Sequence, residues 1–139
     1  MNTEYCFGVL PFKPNSEIPF VFMVQHVKGG YWGFPKGHPI EGDGPRQTAE
    51  RELLEETGLK VVSYIDTMPI QESYTVYREG VAVCKTVIYF PAWVEGQEFL
   101  QAEEIMDGQW LNESQTLERL TFDSLKPQLI QLFQKLFAS

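Results

Sequence analysis

The sequence predicts an α/β protein in which helices flank a mixed β-sheet. Runs of β-branched and aromatic residues, bounded by Gly, Pro, Asn and Ser, recur along the chain and are typical of strands. Two segments, near residues 45–58 and 123–136, have instead the apolar spacing of helices that dock by one face. The 139 residues contain no linker, repeat or low-complexity tract. We therefore expect one domain over residues 1–139, long enough to bury a single core.

The strand-like runs follow one another in a definite order. Strands are predicted at residues 5–12, 20–27, 31–34, 60–68, 74–77, 81–94 and 109–111. A Pro-Asn-Ser loop follows the first run, and Gly29-Gly30 follows the second. Glu79-Gly80 is a turn that predicts a hairpin, and residues 95–108 form a polar loop.

Each helical segment has its own boundary signals. The first helix begins at Pro45 or Gln47 and ends at Gly58, which suits a left-handed C-cap. The second begins near Asp123 or Ser124. The first helix can dock through Ala49, Leu53 and Leu59. The second has an apolar stripe formed by Leu125, Leu129, Leu132, Phe133 and Leu136.

Charge and composition exclude several classes of function. The net charge of -8 disfavours a broad binding surface for long nucleic acid, whereas a small nucleotide brought with a cation remains compatible. There is no run of 18 apolar residues and no signal-like N-terminus, so we expect a cytoplasmic protein with no membrane partner. Cys6 and Cys84 lie among apolar neighbours and are predicted to be buried free thiols.

The most informative feature is a group of carboxylates on the first helix. Glu52, Glu55 and Glu56 stand at positions i, i+3 and i+4, where helical side chains are neighbours and like charges repel. A divalent cation would compensate this repulsion. Mg²⁺ is typically held by a few carboxylates together with substrate phosphates, so the pattern points to a phosphorylated substrate. The alternative is a solvated helix face, although Arg51 beside the cluster could fix one carboxylate by a forked hydrogen bond.

These residues resemble the sequence box of the Nudix hydrolases. That box reads Gly, five residues, Glu, seven residues, then Arg-Glu-aliphatic-x-Glu-Glu-x-Gly-aliphatic. The match runs from Gly37 to Leu59, and its one departure is Asp43 in place of Glu. Residues 34–38, 85–90, 110–111 and 120–122 further resemble the asymmetrical diadenosine tetraphosphate hydrolases of that family. The resemblance implies an α/β/α sandwich with a central mixed sheet.

The resemblance also implies a reaction and a metal site. The expected reaction is Mg²⁺-dependent hydrolysis of diadenosine tetraphosphate to ATP and AMP, with Mn²⁺ as a possible substitute. The implied metal ligands are the carbonyl of Gly37 and the carboxylates Glu52, Glu55 and Glu56. Glu52, Glu55, Arg51 and Glu104 are the implied catalytic residues. Glu104 is a second base or outer ligand, and its alternative is a solvated loop charge. Which carboxylate acts as general base stays open.

Substrate contacts are expected from cationic and aromatic residues. Lys36 and Lys85 suit phosphate oxygens, and His38 could contact phosphate or orient a ligand. Tyr77, and more weakly Tyr89, could stack on adenine. For each aromatic residue, the alternative is core packing. His26 ends an apolar strand and is expected to be structural.

Two other functions and the state of assembly remain open. One alternative is pyrophosphate removal from RNA 5′-triphosphates or from another nucleoside-diphosphate-linked substrate, which the acidic charge disfavours for RNA. The other is an inactive nucleotide-binding module, for which Asp43 is the only support. We expect Asp43 to support its loop rather than the metal, so activity should survive. The protein is expected to be a monomer or a homodimer.

Overall fold

The computed structural model describes residues 2–137, so positions 1, 138 and 139 of the predicted domain lie outside the described residues. The predicted α/β class with a mixed sheet is confirmed. The strands are β1 (Asn2–Phe12), β2 (Val21–His26), β3 (Trp32–Gly33), β4 (Lys36–Gly37), β5 (Lys60–Tyr64), β6 (Ile70–Arg78), β7 (Val81–Glu95) and β8 (Ile105–Leu111). The helices are α1 (Pro45–Thr57), α2 (Glu113–Arg119) and α3 (Lys126–Phe137), and a 3₁₀ turn (Asp123–Leu125) precedes α3.

Strand β1 organises the sheet. It runs parallel to β7 along its whole length, from Asn2↔Val83 to Phe12↔Trp93. At its C-terminal end, next to the loop that joins it to β2, β1 pairs with β2 at Phe12↔Val21. Nearer its middle it pairs instead with β4, at Gly8↔Lys36. Strands β3 and β8 pair with β2, and β5 and β6 pair with β7. The departure of β2 from β1 therefore leaves room for β4, the strand that leads into α1.

The two faces of the sheet carry two separate cores. Because side chains alternate along a strand, Leu10 and Val9 of β1 point to opposite faces. Leu10 belongs to a cluster that includes Leu129 of α3, and Val9 belongs to one that includes Leu53 of α1. The helices α1 and α3 thus cover opposite faces, which is the sandwich that the resemblance implied.

Both ends of α1 follow local sequence rules. Gly44 is the N-cap, and its N–H donates to Oε1 of Gln47 at 2.7 Å. At the other end Gly58 adopts φ 79°, and its N–H donates to the carbonyl of Leu54, as predicted for a left-handed C-cap. A Cβ at Gly58 would lie 2.9 Å from the carbonyl oxygen of Gln97, so the close approach of the following loop also requires glycine.

Several boundaries differ from the predictions. Helix α2 was not predicted, although Asn112 and Gln115 form a reciprocal capping box that marks its start. Strand β6 begins four residues earlier than expected, at Ile70, and β8 also begins four residues earlier, at Ile105. Strand β5 stops at Tyr64 rather than at residue 68. These ends depend on partners in the sheet, which the local pattern does not contain.

The cysteines are both free, as predicted, but they differ in burial. Cys6 is buried in the core under α3. The prediction of burial is wrong for Cys84, which is only partly buried. Cys84 belongs to the same apolar stretch of sequence as the buried Val83, but its side chain is on the opposite face of β7, outside the core. No helix within residues 2–137 has the length and apolar character needed to cross a membrane.

Neighbouring residues of α3 provide a test of the core. Leu129 is fully buried, whereas Ile130 is 39% exposed. We expect Leu129→Ala to lower the free energy of unfolding by about 2–5 kcal/mol, because it removes buried methyl groups and leaves a cavity. Ile130→Ala should cost about 1 kcal/mol or less. Urea denaturation measures both, and equal losses would contradict the assignment of the core face.

Candidate metal and substrate site

Three carboxylates from distant parts of the chain converge beside β4. Glu52 and Glu56 lie one turn apart on α1, and Glu104 comes from the loop before β8. One carboxylate oxygen from each lies within 4.8 Å of the others. The sequence left Glu104 open between a site residue and a solvated charge, and the structure places it with Glu52 and Glu56.

The loop that carries Glu104 is fixed to the end of α1 by its backbone. The N–H of Phe99 donates to the carbonyl of Thr57 at 2.8 Å, and the N–H of Gln101 donates to that of Glu56 at 3.0 Å. These bonds satisfy carbonyls that the helix leaves unpaired at its C-terminus. The carbonyl of Glu104 also accepts from the N–H of Val27 at 2.8 Å. Glu104 is therefore held from both sides.

Glu56 is the buried member of the group. It is 2% exposed, and its Oε1 has no hydrogen-bond partner among the described residues. Burial, together with the neighbouring carboxylates Glu52 and Glu104, raises the pKa of Glu56 from its ordinary 4.5 to about 10. An unpartnered buried oxygen facing two other carboxylates fits a hard divalent cation, since Mg²⁺ and Mn²⁺ favour such oxygen ligands.

Gly37 makes the position of Glu52 possible. A Cβ at this residue would lie 2.1 Å from Cδ of Glu52, so any side chain would displace the carboxylate. The pairing of β4 with β1, at Phe7↔Gly37, fixes the backbone at this point. The structure thus brings the predicted metal ligands Gly37, Glu52 and Glu56 together.

Arg51 connects the carboxylates to the loop before α1. Its Nη1 donates to Oε1 of Glu52 at 3.0 Å, and its Nη2 donates to the carbonyl of His38 at 3.0 Å. Its Nε and Nη2 also donate to Oδ2 of Asp43, at 3.1 and 3.0 Å. Such a forked arrangement sets geometry as well as charge. Arg51 therefore orients Glu52 and the loop.

Asp43 lies in the loop, away from the three converging carboxylates. Its Oδ2 also accepts from the N–H of Ile40 at 3.3 Å and from Oγ1 of Thr48 at 3.4 Å. Desolvation opposes ionisation of Asp43, but the hydrogen bonds from Arg51 and from Ile40 hold its pKa below the ordinary value. The shorter acidic residue therefore retains its contact with Arg51, which agrees with the expected role in the loop.

Glu55 does not join the converging group. Its side chain is 55% exposed and contacts Nη1 of Arg51 at 3.4 Å. Although it stands three residues after Glu52, its carboxylate is not one of those that converge within 4.8 Å. The geometry therefore favours Glu104 over Glu55 as the third carboxylate.

A cleft of about 460 Å³ extends from these carboxylates and is lined by cations. The predicted residues Lys36, His38 and Lys85 all line it, together with Lys28 and Arg78, which the sequence did not single out. Burial lowers the pKa of Lys85, and the positive charge of Lys36 lowers it further. Two lysines that repel each other beside an acidic cluster are suited to a bound polyanion that neutralises both.

The two aromatic residues predicted to stack on adenine lie elsewhere. Tyr77 is 73% exposed. Side chains alternate along β6, so Tyr77 points to the face of the sheet opposite to that of Tyr74 and Arg78. Tyr89 is 1% exposed, and its ring packs edge-on against Phe34 with centroids 5.7 Å apart. The interpretation of Tyr89 as a stacking residue is wrong, because its ring belongs to the core.

Other aromatic residues, which the sequence reasoning missed, stand beside the cleft. Tyr31 lines it, and the ring of Phe122, half-exposed, lies 5.4 Å from that of Tyr31. The rings of Phe122 and Tyr74 are stacked at 16° with centroids 6.3 Å apart. The alternation of side chains along a strand could have identified Tyr74. It is paired with Lys85 across β6 and β7, so both side chains lie on the same face of the sheet.

His26 is structural, as expected. It is buried, its ring lies 4.7 Å from that of Tyr31, and its Nε2 donates to the carbonyl of Phe34 at 3.2 Å. Burial, together with the charge of Lys36, lowers the pKa of His26 to about 4, so the ring is neutral at neutral pH. It therefore packs against Tyr31, an aromatic residue that lines the cleft.

Comparison with known proteins agrees with this geometry. The family model of the NUDIX domain matches residues 3–133. Nudix hydrolase 6 of Arabidopsis thaliana is 30% identical over 118 residues, and the match covers 79% of this chain and 40% of that protein. The asymmetrical bis(5′-nucleosyl)-tetraphosphatase of Mus musculus is 28% identical over 125 residues, which cover 87% of this chain and 82% of the mouse protein.

Solved structures show the same fold. A binary complex of the C. elegans Ap4A hydrolase superposes with a TM-score of 0.73 at 15% identity, covering 96% of this chain and 97% of that one. The NUDIX domain of Shewanella oneidensis NrtR, complexed with ADP ribose, also gives 0.73, at 20% identity and with 98% and 90% coverage. At these identities the likeness extends to the fold alone.

The contact between Gly37 and Glu52 can be tested through metal affinity. We expect Gly37→Ala to weaken Mn²⁺ binding by about 10–100-fold, because the added methyl group displaces the Glu52 carboxylate. Isothermal titration calorimetry measures this. Gly44→Ala is the matched control, since a Cβ there meets Oε1 of Gln47 at an ordinary 3.4 Å. Equal losses in both variants would contradict the role of Gly37.

The burial of Glu56 predicts a pH dependence. In the unfolded chain Glu56 ionises near its ordinary value of 4.5, whereas the folded protein keeps the proton up to about pH 10. The folded state therefore binds more protons in this window, and the metal-free protein loses up to about 1.4 kcal/mol of stability per pH unit as the pH rises. Urea denaturation in a chelator at about pH 6 and pH 8 measures this slope.

The matching variant should remove that dependence. Glu56→Gln has no carboxyl to ionise, so we expect a flatter slope and greater metal-free stability at about pH 8. Glu118→Gln, at an exposed position of α2, should keep the wild-type slope. An unchanged slope in Glu56→Gln would show that another group holds the proton.

Proposed function

The chain belongs to the Nudix hydrolase family, and from this premise we propose that it hydrolyses dinucleoside polyphosphates, cutting diadenosine tetraphosphate to ATP and AMP. Members of the family generally use divalent ions and act on small nucleotides. The observation that carries the proposal is that one cleft contains the three carboxylates, five Lys and Arg residues and Tyr31, whose ring lies beside that of Phe122. The mouse relative, named for this reaction, supports the choice of substrate.

We assign the metal to Glu52, Glu56 and Glu104, with the carbonyl of Gly37 as a further ligand. When bound, a divalent cation, Mg²⁺ or Mn²⁺, neutralises phosphate charge and lowers the pKa of a coordinated water. Arg51 holds Glu52 in place through the 3.0 Å contact of Nη1. Glu104 is the exposed carboxylate of the group and is our choice of general base, since it can take a proton and pass it to solvent.

Substrate recognition divides between phosphate and base. Lys36 and Lys85 bind phosphate oxygens as point charges, and the mutual repulsion of the two lysines is relieved when the polyanion enters. Phe122 offers a half-exposed ring between Tyr31 and Tyr74, where a purine base can stack. Stacking on an aromatic side chain contributes about 1–3 kcal/mol and tolerates any base. Tyr77 has no part in this arrangement.

Other substrates and an inactive module are weaker proposals. The net charge of -8 disfavours RNA 5′-triphosphates, because RNA-binding surfaces normally collect Lys and Arg. A nucleoside diphosphate joined to a sugar would use the same carboxylates. It has fewer phosphates, so it would leave some of the Lys and Arg residues that line the cleft without a phosphate to bind. An inactive module would not need three carboxylates within 4.8 Å, since their repulsion is costly without a cation.

Product analysis tests the proposal. We expect the purified protein with Mg²⁺ and diadenosine tetraphosphate to release ATP and AMP in equal amounts, separated by anion-exchange chromatography. Glu56→Gln should lower turnover at least about 100-fold while the protein stays folded, because the buried ligand is lost. Glu118→Gln should keep full activity. Two molecules of ADP, or cleavage of an ADP-sugar alone, would contradict the proposal.

A further inference from the structure

Two residues that line the cleft share an acidic partner that neither the metal site nor the proposed reaction uses. Oε1 of Glu4 forms an ion pair with Nη2 of Arg78 at 2.9 Å and accepts a hydrogen bond from Nε2 of His38 at 3.3 Å. Its side chain is 27% exposed. Both partners line the cleft, so one carboxylate oxygen occupies two donors that face the substrate space.

Strand register places Glu4 among further cations. Glu4 on β1 is paired with Lys85 on β7, and Lys85 is paired with Tyr74 on β6. Paired residues lie on the same face of a sheet, and Arg78 shares that face because it lies four residues after Tyr74. Glu4 therefore shares one face of the sheet with Lys85 and Arg78, two of the residues that line the cleft.

The order of residues along the cleft gives Glu4 a defined position relative to the carboxylates. Glu52 contacts Gly37, and His38 follows Gly37 in the chain. The carbonyl of His38 binds Arg51, while its ring binds Glu4, which in turn binds Arg78. Glu4 therefore lies beyond Arg51 and His38 in this series of contacts, on the side of the cleft that a longer polyphosphate would reach.

We propose that Glu4 is a specificity-determining residue that limits how many phosphates the cleft accepts. The inference rests on the proposed function, because it concerns the distal end of the same substrate. The Glu4 carboxylate repels an additional phosphate and keeps Arg78 and His38 engaged. Lys36 and Lys85, which suffice for a short polyphosphate, are left to bind it. A longer chain must compete with Glu4 for Arg78.

The test uses a charge-removing variant and a charge-retaining one. Glu4→Gln should raise kcat/KM for a dinucleoside hexaphosphate relative to the triphosphate by about threefold or more, the size expected for one screened charge. Glu4→Asp keeps the charge and should keep the wild-type ratio. Glu17→Gln makes the same change in net charge in an exposed loop beyond the other end of β1, and should also leave the ratio unchanged.

The dependence on Arg78 separates this effect from a general loss of structure. Arg78→Gln, combined with Glu4→Gln, should reduce the gain for the longer substrate, because the released guanidinium is then missing while the loss of repulsion remains. Thermal unfolding identifies folded variants. A ratio that changes equally in Glu4→Gln and Glu17→Gln, or that is as high in the double variant as in Glu4→Gln, would overturn the inference.

Binding without catalysis keeps this test independent of the reaction. In a chelator, Glu4→Gln should tighten binding of linear inorganic hexaphosphate more than binding of tripolyphosphate, as measured by isothermal titration calorimetry. If the wild-type protein cleaves no dinucleotide, the proposed function fails, and the two inorganic anions still decide the role of Glu4. If it cleaves the tetraphosphate while both ratios stay unchanged in Glu4→Gln, the inference alone fails.

Discussion

The site depends on one electrostatic conflict, which is the burial of Glu56 next to Glu52. A buried carboxylate beside a second one is costly, and the raised pKa of Glu56 expresses that cost. The cation that would relieve it can enter only if the oxygens already converge. The rigid parts of the fold provide this convergence: α1 fixes two carboxylates one turn apart, and backbone bonds at its C-terminus fix the loop of the third.

Arg51 transmits this constraint to the substrate side of the cleft. Through Asp43 and the carbonyl of His38 it fixes the loop before α1, and through Glu52 it fixes the metal side. Because His38 also binds Glu4, a continuous series of hydrogen bonds and one ion pair runs from Asp43 to Arg78. The carboxylates and the cations of the cleft are thus positioned by one network, and Asp43 keeps the contact with Arg51 on which this network depends.

The sequence predicted the parts of the site that are close together in the chain better than the parts that only the folded structure brings together. The helical spacing of Glu52, Glu55 and Glu56 predicted a cation site, and the resemblance to the Nudix box added Gly37 and Arg51. Tyr77 could not be assigned in this way, because a shift of one residue in the register of β6 decides which face it occupies. Tyr74 and Phe122 meet only through the packing of the 3₁₀ turn against β6, and Glu104 reaches α1 only through backbone bonds of a polar loop.

The distribution of charge explains how an acidic protein can select a small polyanion. Five of the 11 Lys and Arg residues line the cleft, although the chain has a net charge of -8. A long polyanion would meet the acidic exterior over most of its length, where repulsion is screened only beyond about 8–10 Å. A short polyphosphate would lie within the cleft, where these cations offset the carboxylates Glu52, Glu56, Glu103 and Glu104 that line it as well. In the proposed arrangement Glu4 acts in the opposite sense, because its carboxylate engages Arg78 and His38 of the same cleft.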